Sequence, residues 1–148
     1  MKYLKYFLYI IKHKWYVMIE CFKIGLIWRG IVHDISKFLI SEFIPYAFYF
    51  YGSYEDKKKW KNKFNIAWNK HQKRNKHHYQ YWILINDDST IIPQEIPEKY
   101  IIEMICDWIG ASKAITGKDN TKEWYKKEKD TKILHEKTRN IIERYLYE

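Results

Sequence analysis

The sequence predicts an all-α protein, a compact multi-helix bundle with residues 1–148 forming a single domain. Three observations carry this reading. Apolar residues recur at three- and four-residue steps along most of the chain, while the alternation expected of strands is weak. Only five glycines and three prolines interrupt 148 residues, and no internal repeat or Pro/Gly/Ser linker divides them. Hydrophobic residues make up 47% and aromatics 19%, which is enough for one core and too much for a disordered chain.

The first helix is expected from about Tyr3 to Phe22, because Tyr6, Ile10, His13 and Val17 share one stripe. Gly25 breaks it. A second helix is expected from Trp28 to about Phe38, carrying His33 and Asp34. Ser41 followed by Glu42 reads as a capped helix start, and the aromatic run Phe43 to Tyr51 follows it to Gly52. A long helix spans about Glu55 to Lys73, where Phe64, Ala67, Trp68 and His71 sit among lysines. A short helix is expected over His77 to Ile85, then a loop from Asn86 to Pro97. Pro97 suits the start of the next helix, which carries Asp107 and stops at Gly117. Asp119 and Asn120 are expected to cap a short helix over Glu123 to Lys127, and the last helix runs from Glu136 to Tyr147.

The formal net charge is +9, nearly all of it from lysine. Abundant Lys, Ile, Tyr and Asn with little Ala or Arg matches an AT-rich coding bias. The remaining basic character suits a small anionic substrate, and allows nucleic acid. Scarce arginine argues against readout of base edges. Cys21 and Cys106 lie in no C-x-x-C motif and are expected to be reduced thiols packed in helices, which points to the cytoplasm. The charged start, Met1 to Lys5, gives no sign of a signal peptide. No uncharged apolar run reaches the ~18–20 residues of a membrane span.

Chemistry concentrates in His and Asp. Asp107 lies within Ile101-Ile102-Glu103-Met104-Ile105-Cys106-Asp107-Trp108, and Asp34 between Val32-His33 and Ile35. A carboxylate on an apolar face must be paired, hydrogen-bonded or metal-bound, because unpaired burial costs several kcal/mol. His13 and His71 also sit on apolar or aromatic stripes. Five histidines (His13, His33, His71, His77 and His78) and the two aspartates avoid the solvated faces of four or five expected helices. Imidazole with carboxylate is a ligand set for one or two divalent transition-metal ions such as Mn, Fe, Co, Zn or Ni. His135 lies beside a charged helix start and reads as surface.

The order His13, then the pair His33-Asp34, then Asp107 resembles the H…HD…D signature of the HD-domain superfamily. His33-Asp34-Ile35-Ser36-Lys37 is similar to its HD-x-G-K form, with Ser36 where Gly is common. His71 and the doublet His77-His78 fall where two-metal members place additional histidines. A closer resemblance spans almost the whole chain. The strings His13-Lys14-Trp15-Tyr16, Ala67-Trp68-Asn69-Lys70-His71-Gln72, Asn75-Lys76-His77-His78-Tyr79-Gln80-Tyr81-Trp82 and Met104-Ile105-Cys106-Asp107-Trp108 look like a family of small bacterial and phage proteins catalogued only as a domain of unknown function.

The HD resemblance implies an HD-like bundle and a metal-dependent hydrolase of a nucleotide or related phosphate ester. His13, His33, Asp34 and Asp107 would hold a first metal. Asp34 would bridge to a second, held by His71 and by His77 or His78. Neighbours on a helix diverge by ~100°, so one of the doublet, His77 by analogy, is expected as the ligand. Asp34 and Lys37 are the expected catalytic residues, and Lys37, Arg74 and Trp82 are expected to contact substrate. The same ligands suit a di-iron oxygenase acting on a small molecule. A reading from another class is a non-catalytic basic module that binds nucleic acid or an acidic partner.

Overall fold

The computed structural model describes the chain from Met1 to Glu148. Its helices are α1 (Lys2–Lys23), α2 (Ile27–Val32), α3 (Ile40–Tyr51), α4 (Tyr54–Arg74), α5 (Glu98–Thr116), α6 (Thr121–Glu128) and α7 (Glu136–Tyr147). The one sheet is a hairpin of β1 (Ile83–Ile85) and β2 (Ile91–Pro93), antiparallel with Leu84 opposite Ile92. The protein is thus predominantly helical, as its apolar periodicity predicts. No helix is long and apolar enough to cross a membrane.

α1 is the central element. Its buried stripe reads Tyr6, Ile10, His13, Val17 and Cys21, with a histidine in the middle. One end of the stripe packs with Tyr46, Ala47 and Ala67 of α3 and α4. The other end packs Val17 and Cys21 on Cys106 of α5. The largest apolar cluster lies beyond α5, where Ile101, Met104 and Ile105 meet Tyr125, Ile142 and Leu146 of α6 and α7. α1 and α5 approach closely because residue 110 is Gly. A Cβ there would lie 3.0 Å from the Val17 backbone nitrogen, with a Val17 methyl nearer still. Val17 is one turn past His13 and Gly110 is one turn past Asp107, so this contact sets those two side chains against each other.

Three local expectations are corrected. The helix expected from Trp28 to Phe38 breaks at His33-Asp34, between α2 and a 3-10 turn over Ile35–Phe38. Asp34 adopts the left-handed conformation (φ 52°), which disfavours an L-residue by about 1–2 kcal/mol but is tolerated by Asp. Lys14 holds the break from α1, its ammonium donating to the carbonyls of Ile31 at 2.5 Å and His33 at 2.9 Å. Ser41 is not a cap: α3 starts at Ile40 after extended Leu39 and has no side-chain cap. The box that does form is at Ser53, which exchanges hydrogen bonds with Asp56 at the start of α4.

The helix expected over His77 to Ile85 is absent. A turn carries His77 and His78, a 3-10 turn covers Tyr79–Trp82, and β1 follows. β-branched Ile83, Ile85, Ile91 and Ile92 favour the hairpin. Asp88 supports its tip by accepting from the Thr90 amide at 3.0 Å. Gly117 (φ 78°) closes α5 as its position predicts.

Candidate metal centre

Residues from five stretches of the chain meet around Asp34. His13 comes from α1, His33 and Asp34 from the break after α2, His71 from the last turn of α4, and Asp107 from α5. His77 and His78 arrive from the turn after α4. The left-handed bend at Asp34 explains how adjacent His33 and Asp34 serve one centre, since a continuous helix would point them ~100° apart. The same holds for His77 and His78. Because their segment is not helical, the rings of both His77 and His78 reach the cluster around Asp34.

Two groups of ligand atoms share Asp34. The first is His13, His33, Asp34 and Asp107; the second is Asp34, His71, His77 and His78. Asp34 Oδ2 lies 3.4 Å from His33 Nε2 and 3.8 Å from His13 Nε2. Oδ1 lies 3.3 Å from His71 Nε2 and 3.2 Å from His77 Nε2. Asp107 Oδ1 faces only the first group, 3.0 Å from His13 Nε2 and 3.2 Å from His33 Nε2. Each oxygen of one carboxylate therefore addresses a different set of imidazoles.

Two buried glutamates that sequence reasoning missed orient these rings. Glu103, one helical turn before Asp107, lies 3.0 Å from His33 Nδ1 and 3.3 Å from His77 Nδ1. Glu42 Oε2 accepts from His71 Nδ1 at 2.8 Å and from the Ser36 hydroxyl at 2.9 Å. Both carboxylates are fully buried, and each is balanced by one arginine. Arg29 Nε donates to Glu103 at 2.6 Å, and an Arg74 NH group donates to Glu42 at 2.8 Å. Carboxylates behind the Nδ1 atoms leave the Nε2 atoms of His33, His71 and His77 to face Asp34, an arrangement that fixes ring orientation and raises basicity toward a metal. The available signal was Glu103 on the same apolar helix face as Asp107, and Glu42 inside an aromatic run.

The remaining expected residues fall as follows. Lys37 Nζ lies 2.5 Å from Asp34 Oδ2 and lines the adjoining cavity. Arg74 is paired with Glu42 and half exposed. Trp82 lies away from the cavity: its indole N–H donates to the Lys76 carbonyl at 2.8 Å, and its ring packs toward Tyr100. Trp68 is the tryptophan at the cavity, stacked on His71 with ring centroids 5.6 Å apart. His135 lies outside the centre and accepts from the Lys137 amide at the start of α7.

The electrostatics fit a cation. Burial opposes charge on His33, but Asp34 and hydrogen bonds to Asp107 and Glu103 outweigh it, so its pKa stands well above the usual histidine value. His71 is raised in the same way, by Asp34 and Glu42 against burial. Burial, then His77, depresses His78 well below that value, leaving a neutral imidazole. Burial disfavours the charged forms of Asp34 and Asp107, yet the surrounding imidazoles, with Lys37 beside Asp34, hold both well below the carboxylate range. Glu103 is brought down to about 2, its hydrogen bonds to His33 and His77 outweighing burial.

The test of fit is the set of atoms without partners. Asp34 Oδ1 and the Nε2 atoms of His71, His77 and His78 are buried without a hydrogen bond, while Asp34 Oδ2 is ion-paired to Lys37 and His13 Nε2 lies against Asp107. Buried polar atoms are nearly always paired. Here the unpaired ones are nitrogen and oxygen donors gathered around one carboxylate, the chemistry that divalent transition metals require.

A cavity of ≈ 380 Å³ adjoins the centre. Tyr9, Tyr51, Phe50, Phe64 and Trp68 form much of its wall, and Lys37 is its only charged lining residue. Tyr6 and Tyr46 also border it, and their buried hydroxyls have no partner. Burial pushes both phenols far above the usual tyrosine value, so they remain protonated.

Fold and site together define a predominantly helical protein with a buried cluster of histidines and carboxylates, each glutamate behind it balanced by an arginine. The chain belongs to the family of unknown function DUF5662, whose model matches residues 2–148. No curated protein and no solved structure matches it.

Proposed function

We propose that the protein is a metal-dependent phosphohydrolase acting on a nucleotide or related phosphate ester. The observation that carries this reading is Asp34, a buried carboxylate whose two oxygens face two different groups of imidazoles. The ligand order along the chain, which resembles that of two-metal HD-domain proteins, supports it further. His13, His33, Asp34 and Asp107 would hold one ion, and Asp34, His71, His77 and His78 the other. Bound ions of this class supply Lewis acidity and a water acidified toward neutrality, so no Ser or Cys nucleophile is needed.

The chain's own residues do the rest. Glu103 and Glu42 keep the imidazoles of His33, His77 and His71 turned inward. Lys37 sits where the cavity meets Asp34, with its ammonium placed to receive an anionic oxygen of the substrate. The aromatic wall excludes water and accepts an apolar or planar portion of the substrate. Asp34 and Lys37 are thus the residues on which turnover depends most.

Elemental analysis of the purified protein, paired with a phosphate-release screen across nucleotides, tests the proposal. Zinc, manganese, cobalt or nickel with phosphate release is expected. Iron with dioxygen uptake and no phosphate release would assign the same ligands to oxygenase chemistry. Absence of any metal, with Asp34→Ala leaving all binding unchanged, would reduce the cluster to a buried polar network.

A further inference from the structure

α4 carries a continuous face that joins the metal centre to the lysine-rich end of the molecule. Steps of three and four residues lead from His71 to Trp68, Phe64, Lys61, and then Lys58 and Lys57. Trp68 and Phe64 line the cavity beside Lys37. Lys57, Lys58 and Lys61 line a second concavity with Tyr49 and Tyr54, and Phe50 borders both. The two hollows thus adjoin at Phe50 along this face.

Its far end is positive and unneutralised. Lys57, Lys58 and Lys61 are exposed, and none lies within salt-bridge distance of a carboxylate. The nearest acidic residues in sequence are Glu55 and Asp56, of which Asp56 is tied to Lys2 at 2.5 Å and to the Ser53 cap. At 1.5 Å rise per residue, Lys61 lies about 15 Å and Lys58 about 20 Å along the helix from His71. A mononucleotide with its phosphate at Lys37 would fill the aromatic cavity and stop short of these lysines, since stacked nucleotides advance by about 3.4 Å each.

We infer that the substrate is single-stranded nucleic acid, held with one phosphate at Lys37, a base against the aromatic wall of the cavity, and following phosphates over Lys57, Lys58 and Lys61. This rests on the phosphohydrolase reading for the identity of the site and extends it to the substrate's length. Aromatic platforms interleaved with lysine are how single strands are bound without regard to sequence. That mode also accommodates the scarcity of arginine, because nothing here needs to read a base edge. The unpartnered hydroxyls of Tyr6 and Tyr46 would serve a polar edge of the enclosed base or sugar.

The test is calorimetric titration of the metal-depleted full-length protein, so that binding is read without turnover. Thymidylate and oligothymidylates of increasing length are the probes. Affinity should rise with length beyond the mononucleotide and then level off once the lysine cluster is spanned. The triple variant Lys57→Ala, Lys58→Ala, Lys61→Ala should lose about tenfold or more in oligonucleotide affinity, with the salt slope falling by about two for three single-strand phosphate contacts. Phe50→Ala should weaken binding by about tenfold through lost stacking. A control variant, Lys122→Ala, Lys126→Ala, Lys127→Ala on α6, removes the same charge elsewhere and should leave oligonucleotide affinity intact. Equal affinity for monomer and oligomer, or equal losses in the two triple variants, would overturn the inference. Metal content and phosphate release are measured separately, so a protein that binds oligonucleotides yet hydrolyses nothing would refute the hydrolase reading and leave the binding face standing.

Discussion

The two halves of the centre are built from similar parts in different proportions. The half formed by His13, His33 and Asp107 holds its own aspartate besides its share of Asp34. The half formed by His71, His77 and His78 has three imidazoles and only the other oxygen of Asp34. The first is richer in negative charge and lies where α1 and α5 are locked together at Gly110. The second hangs on the end of α4 and a turn, and is oriented by Glu42 and by Glu103 Oε1, the same oxygen that faces His33. Charge and rigidity both favour the first half for a divalent cation. A shared carboxylate can thus face two unlike sets of imidazoles, with the Lys37 ammonium against the oxygen that faces the first set.

Asp34→Ala should have the largest effect, because it removes a ligand from both halves. Both ions should be lost, and phosphate release with them, as read by elemental analysis and turnover. Next come variants that separate the halves. Asp107→Ala should abolish tight binding, whereas His71→Ala should lower the metal content by one ion and keep the tight site. Equal losses in these two would break the comparison.

A smaller effect is expected behind the ligands. Glu103→Gln and Glu42→Gln should each weaken metal affinity by about 10- to 100-fold. The Glu103 variant should be worse, because that carboxylate faces His33 and His77 while Glu42 faces His71 alone. The pH dependence follows from His33 and His71, whose pKa values are raised in the metal-free protein. Both imidazoles must lose a proton to bind metal, so binding near neutral pH should release protons, and affinity should fall as pH is lowered through these values. His78, depressed well below the usual value, should contribute none. Calorimetry in buffers of different ionisation enthalpy measures this release. Gly110→Ala should act least on the centre, costing about 1–3 kcal/mol of stability by overpacking α1 against α5. A urea melt reads that loss, and any drop in metal affinity should fall on the half that contains His13 and Asp107.

Much of the centre was legible because burying His or Asp on an apolar stripe demands a partner. His13, His71 and Asp107 announce themselves by their helical neighbours, and the structure brings them to His33, Asp34, His77 and His78. Glu42 and Glu103 were harder to read, since a glutamate within a helix is ordinarily solvated. What buries them is contact with Arg74 and Arg29, each far away in sequence. The bend at Asp34 and the turn at His77-His78 were also hidden. Local propensity favours helix at the first and is ambiguous at the second, while tertiary contacts such as Lys14 on the carbonyls of Ile31 and His33 decide the outcome. The hairpin was obscured because the isoleucines of β1 fit a short buried helix equally well by spacing.

Crystals grown with manganese would test the shared carboxylate most directly, through anomalous diffraction. Two peaks are expected, one within bonding distance of Asp34 Oδ2 among His13, His33 and Asp107, the other near Oδ1 among His71, His77 and His78. A map with no peak among these side chains, at manganese concentrations that saturate any site elsewhere, would contradict the assignment of a metal centre to this cluster.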